Sequence, residues 1–253
     1  MWSRFVAIGD SFTEGMSDRY PNSTIYRGWA DRLTEQMARK NPDLLYANLA
    51  IRGRLTSDVV EQQVPRAIEL EPDLVSMACG VNDLMRRSFD FDQWRDTYES
   101  GIRALREAGT DVLVTAFGNP EGRPGVPRSW VERYRLLNEA TVEIAHSYDC
   151  YLLNFWPMKQ FDRDIYWSAD RLHLSTLGHQ VTAELAAHVL GIPFDYDSTK
   201  IDIDRAQTRV QRRLDDLAWL SVYAVPWALR RVVGRSSGDG ITEKRPTLMP
   251  VRR

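Results

Sequence analysis

Five short apolar runs, separated by stretches of helical periodicity, confine this chain to a parallel α/β architecture. The runs occupy residues 5–8, 44–51, 72–79, 111–117 and 150–155. The stretches between them, at residues 28–38, 56–70, 91–108 and 130–148, repeat apolar side chains every three to four positions, as does residues 176–190 after the last run. A near-continuous apolar strand is one buried on both faces, and β/α alternation supplies helices to cover both. With 253 residues and 43% apolar side chains, the chain is long enough for one sizeable domain and a small appendage.

The first run ends abruptly in Gly9-Asp10-Ser11. Ligands of open parallel sheets bind in the crevice at the carboxyl ends of the strands, so a hydroxyl placed there is a candidate nucleophile as well as a candidate turn residue or helix cap. The third run ends in the same manner, in Gly80-Val81-Asn82-Asp83, and the second leads into Arg52-Gly53-Arg54. Of the four histidines, His146, His179 and His188 fall within helical patterns, whereas His173 follows a strand-to-helix connection, three residues after Asp170. A serine nucleophile needs a base, a group that fixes the base's tautomer, and donors for the oxyanion. His173, Asp170, the backbone N–H groups of Ser11 and Gly53, and the Asn82 amide are of the right types. Each also has a structural reading, as ion pair, turn glycine or turn asparagine.

Taken together, these four blocks resemble the SGNH, or GDSL, hydrolase family, over roughly residues 4–191. The sequence departs from the family pattern at Phe12, where leucine is usual, and at Ala50, where glycine is often found. The resemblance implies a flavodoxin-like three-layer α/β/α sandwich around a five-stranded parallel sheet. It also implies Ser11 as nucleophile, His173 as general base, Asp170 as the acid that orients it, and Ser11, Gly53 and Asn82 as the oxyanion hole. No metal or organic cofactor is expected. The expected substrate is a small-molecule carboxylic ester or thioester of small to medium acyl size. An acyltransferase would use the same triad, and a non-catalytic binding or tethering module is the alternative of a different class. Phe12, Trp29 and Trp167, with Trp130, are candidates for an apolar acyl pocket or for core. Arg52, Arg54, Arg86 and Arg87 beside the crevice suit an anionic or sugar-bearing substrate, or are solvated.

The expected division is a catalytic domain at residues 1–191 and a helical, basic extension at 192–253. Residues 200–253 carry 12 Lys/Arg against 6 Asp/Glu, while the rest of the chain is weakly acidic and gives no reason to expect nucleic-acid binding. Residues 201–220 have helical spacing, and Trp219 and Trp227 with an Arg-rich flank fit either an arm docked on the body or on a second subunit, or a peripheral membrane anchor. The start, Met1-Trp2-Ser3-Arg4-Phe5, passes directly into the first strand, and no apolar run approaches a membrane span, so a cytoplasmic location is expected. Cys79 and Cys150 sit in or beside buried strands and read as reduced core thiols.

Overall fold

A computed structural model describes residues 2–121, 123, 126–194, 219, 222 and 236–251. Its centre is a single six-stranded sheet in the order β5-β4-β3-β1-β2-β6. The strands are β1 (Arg4–Gly9), β2 (Leu45–Asn48), β3 (Leu74–Ala78), β4 (Asp111–Ala116), β5 (Tyr151–Asn154) and β6 (Arg245–Pro250). The first five pair in parallel, and β6 runs antiparallel to β2 at the edge.

The β1 sequence shows why the sheet is covered on both sides. Side chains alternate across a strand. Phe5 and Ala7 accordingly join one apolar cluster, Val6 and Ile8 the other, and all four are fully buried. The Phe5 face is covered by α2 (Gly28–Lys40) and α8 (Thr176–Val189). The opposite face is covered by α4 (Val64–Glu69), α6 (Phe91–Glu107) and α7 (Arg128–Ser147). Helix α6 buries Trp94, Tyr98, Ile102 and Leu105, a stripe at spacings of four, four and three. Each such side chain contributes about 1.5–3 kcal/mol on burial. Three short helices, α1 (Ser11–Glu14), α3 (Thr56–Asp58) and α5 (Val81–Leu84), stand at strand ends, and a π-helical turn, Val59–Gln63, joins α3 to α4.

Ser175 is the N-cap of α8, as its position in the sequence predicts, with its Oγ accepting from Gly178 N at 3.1 Å. Cys79 is buried, Cys150 is half-buried, and both are free thiols.

The three-layer fold agrees with expectation, but the sheet has six strands where five were expected. The sixth lies in the basic segment that reads as turn-rich. It carries prolines at 246 and 250 and only partly buries its side chains, so it has neither apolar run nor clean alternation. Proline is tolerated on an edge strand because one row of backbone donors there is unused. The helix expected over residues 201–220 lies outside the described residues apart from Trp219. Among the described residues, no helix is long and apolar enough to cross a membrane.

Candidate active site

The strand order reverses at β1, between β2 and β3, and the polar blocks gather at the carboxyl ends of these three strands. Chain direction turns sharply after β1. Gly9 adopts φ +141°, and a Cβ there would lie 2.2 Å from the Ala78 carbonyl oxygen, so only glycine fits. The side chain of Gln63 grips the same residue, accepting from Gly9 N at 2.7 Å and donating to Gly9 O at 3.0 Å. Ser11 follows as the first residue of α1, half-buried, with Asp10 as the cap whose Oδ1 accepts from Phe12 N at 3.0 Å.

Asp170 and His173 form the tightest unit. His173 Nδ1 lies 2.6 Å from Asp170 Oδ2. Asp170 Oδ1 accepts from Ser168 Oγ at 2.6 Å and from the backbone N–H groups of Leu172 and His173, both at 2.9 Å. Arg171, between them, takes a left-handed conformation at φ +57° that closes this turn on the carboxylate. Burial works to raise the Asp170 pKa, but the hydrogen bonds and charge of His173 prevail and hold it well below the usual carboxylate range. The carboxylate is therefore the acceptor of this contact, and the proton between the two groups sits on His173 Nδ1.

Among the described residues no hydrogen bond joins Ser11 to His173. Such contacts commonly tighten only with substrate bound.

Asn82 links two blocks, its Nδ2 donating to Asp10 Oδ2 and to Arg54 O, both at 3.1 Å. Asp83 ties its own loop to the start of α3 by accepting from Thr56 N and from Thr56 Oγ1, both at 3.1 Å. Gly53 adopts φ +74°. Burial pushes Asp10 up to about 7 against the hydrogen bond from Phe12 N, and pushes Asp83 up to about 6 against its bonds to Thr56.

The aromatic candidates part company. Trp29 is fully buried in the α2 layer beneath Phe12, with ring centroids 5.7 Å apart, so it is core and offers no surface to a substrate. Phe12 is half-buried and packs edge-on against Phe117 and Phe155. Trp167 is anchored by its indole N–H on Phe161 O at 2.6 Å and stacks under the Arg123 guanidinium, 3.6 Å from the ring centroid.

Arg52 is committed internally to Glu14 and to the face of Tyr26 rather than presented to a ligand. Sequence reasoning did not single out Glu14, although an acidic residue three positions after the serine was the available signal. His179 is buried and accounted for, accepting from Trp29 N at Nδ1 and bonding Met16 O through Nε2, with burial pushing its pKa down to about 4. Trp219, a residue of the basic extension, donates to Asp170 O at 2.8 Å and lies under Arg171.

The sheet, with helices on both faces and polar blocks gathered at the carboxyl ends of its central strands, defines a three-layer α/β/α protein. Solved structures share the fold. LAE5, an alpha/beta hydrolase enzyme from the metagenome of Lake Arreo, Spain, superposes with a TM-score of 0.63 at 20% identity, over 75% of this chain and 95% of its own. Axe2, an acetylxylan esterase from Geobacillus stearothermophilus, gives 0.62 at 18% identity over 76% and 95%. No curated protein matches the chain. The model of the GDSL-like lipase/acylhydrolase family matches residues 7–181, more than half of the sequence, and the chain belongs to that family. It is an ester hydrolase.

Proposed function

We propose that this enzyme cleaves carboxylic esters, thioesters included, of small to medium acyl size through an acyl-enzyme on Ser11. His173 Nε2 takes the Ser11 proton as Oγ bonds to the carbonyl carbon. The same nitrogen then delivers that proton to the departing alcohol or thiol. Water, deprotonated by His173 in turn, adds to the acyl carbon; the Ser11 Oγ–carbon bond breaks, Oγ takes the proton back from His173, and the acid is released. The observation that carries this reading is the 2.6 Å contact of Asp170 with His173 Nδ1, which fixes the tautomer the base requires. The N–H groups of Ser11 and Gly53 and the Asn82 amide receive the oxyanion. Asn82 does so by giving up one of its resting bonds to Asp10 or Arg54.

The test is hydrolysis of p-nitrophenyl esters from acetate upward by wild type and Ser11→Ala, with fluorophosphonate labelling mapped by mass spectrometry. Ser11→Ala is expected to lose at least about a thousandfold in kcat and all labelling. Activity retained within about tenfold of wild type, or a label on another residue, would sink the assignment.

A further inference from the structure

The loop carrying Gly53 is held from two sides, and both holds lead to the C-terminal segment. Glu14, 5% exposed, accepts the backbone N–H of Arg52 on Oε2 at 2.7 Å and the Arg52 guanidinium Nε at 3.0 Å. It therefore grips both ends of the residue that precedes Gly53. The Glu14 main chain is gripped in turn. Lys244 Nζ donates to Glu14 O at 2.8 Å, to Tyr26 O at 3.0 Å and to Arg27 O at 2.9 Å, and pairs with Asp31. On the other side, Ser236 Oγ donates to Gly53 O at 3.4 Å, and a Cβ on Gly238 would lie 2.2 Å from Arg52 O. Strand β6 begins one residue after Lys244, where Arg245 is in register with Asn48 of β2, so this segment is fixed by the sheet itself.

An oxyanion donor works only if it is held in place before charge develops, because reorganising it during the reaction costs what the hydrogen bond would gain. Residues 52–54 form a turn outside regular structure, with a glycine at its centre. Its position is set by what grips it. We propose that Glu14 and Lys244 are positioning residues for the Gly53 N–H, so that the C-terminal segment completes the oxyanion site of the catalytic domain. This rests on the reading of Ser11 as nucleophile and Gly53 as donor. Neither residue touches the substrate; both act through Arg52.

The experiment compares full-length wild type, Glu14→Ala, Glu14→Gln and Lys244→Met, with Ser11→Ala in parallel. The readouts are kcat and KM on an ester, inhibition by a phenylboronic acid, whose tetrahedral adduct probes the oxyanion site, and amide hydrogen exchange over residues 49–56. Glu14→Ala and Lys244→Met are expected to lower kcat about 10- to 100-fold, on the scale of a donor misplaced by about 1 Å, with KM changed less than about threefold. Boronate affinity falls by a similar factor, and exchange at residues 52–54 quickens while β1 and β3 stay protected. Glu14→Gln keeps an acceptor for Arg52 N and recovers most of kcat. Lys244→Met keeps the apolar stem and decides the matter if Glu14→Ala does not fold. Unchanged kcat and unchanged exchange in both variants would overturn the proposal. A Ser11→Ala enzyme that retains activity would overturn the nucleophile assignment instead, and the exchange data alone would then decide whether the segment braces the loop.

Discussion

Replacing Asp170 by Asn changes one atom of the side chain yet reverses the hydrogen-bond polarity at the centre of the site. Oδ1 can keep its three donors, from Ser168 Oγ, Leu172 N and His173 N, so the turn has no reason to open. The group facing His173 Nδ1 becomes an amide donor. To accept from it, His173 must carry its proton on Nε2, the nitrogen needed to take the Ser11 proton. The imidazolium formed on attack also loses its anion. At a charge separation of about 4 Å and an effective dielectric of about 20, that attraction is about 4 kcal/mol, or about a thousandfold in rate. With the tautomer cost added, kcat is expected to fall about 10⁴-fold, as in other serine triads, while KM moves little. Steady-state kinetics on a p-nitrophenyl ester, with thermal unfolding to confirm the fold, checks this. A variant that keeps more than about a tenth of wild-type kcat would show that Asp170 does not orient the base.

Asp10 makes a pH prediction. With its pKa pushed up to about 7 from 3.8, the folded chain holds a proton there that the unfolded chain releases between those values. Its contribution to stability therefore declines as pH rises from about 4 to 7, at a limiting slope of about 1.4 kcal/mol per pH unit, and is level above. The difference in unfolding free energy between wild type and Asp10→Asn, measured by urea titration across that range, should follow this decline; a flat difference would refute it. Ser175→Ala removes both the cap on Gly178 N and the 2.7 Å bond to Ile165 O, and is expected to cost about 1–2 kcal/mol in the same assay. No measurable loss would mean that water replaces the cap without penalty.

The five parallel strands, the helices on either face and the order of the four polar blocks were legible because each is a local pattern. A buried strand must be apolar, an amphipathic helix must repeat, and a strand that ends in glycine followed by polar residues announces a functional turn. Asp170 and His173 were legible for the same reason: three residues apart in one turn, they meet without help from the rest of the chain. Trp29 was not, since its helical spacing fits core as well as pocket and only its complete burial in the α2 layer rules out the pocket. Nor was the commitment of Arg52 to Glu14, 38 residues away, which removes that guanidinium from ligand binding.

By itself, then, the sequence determined what is periodic or contiguous: the α/β class, the family, and the residue types at the strand ends. Tertiary structure alone decided which distant groups meet. Strand β6 has little apolar pattern of its own and exists because the β2 edge offers unpaired backbone to an antiparallel partner. Lys244, one of 33 Lys and Arg residues in the chain, is distinguished only by the three carbonyls and the carboxylate that the fold assembles around it. Such contacts span more than 200 residues of chain, and no local preference encodes them. They follow once burial of the sheet has fixed where every strand end lies.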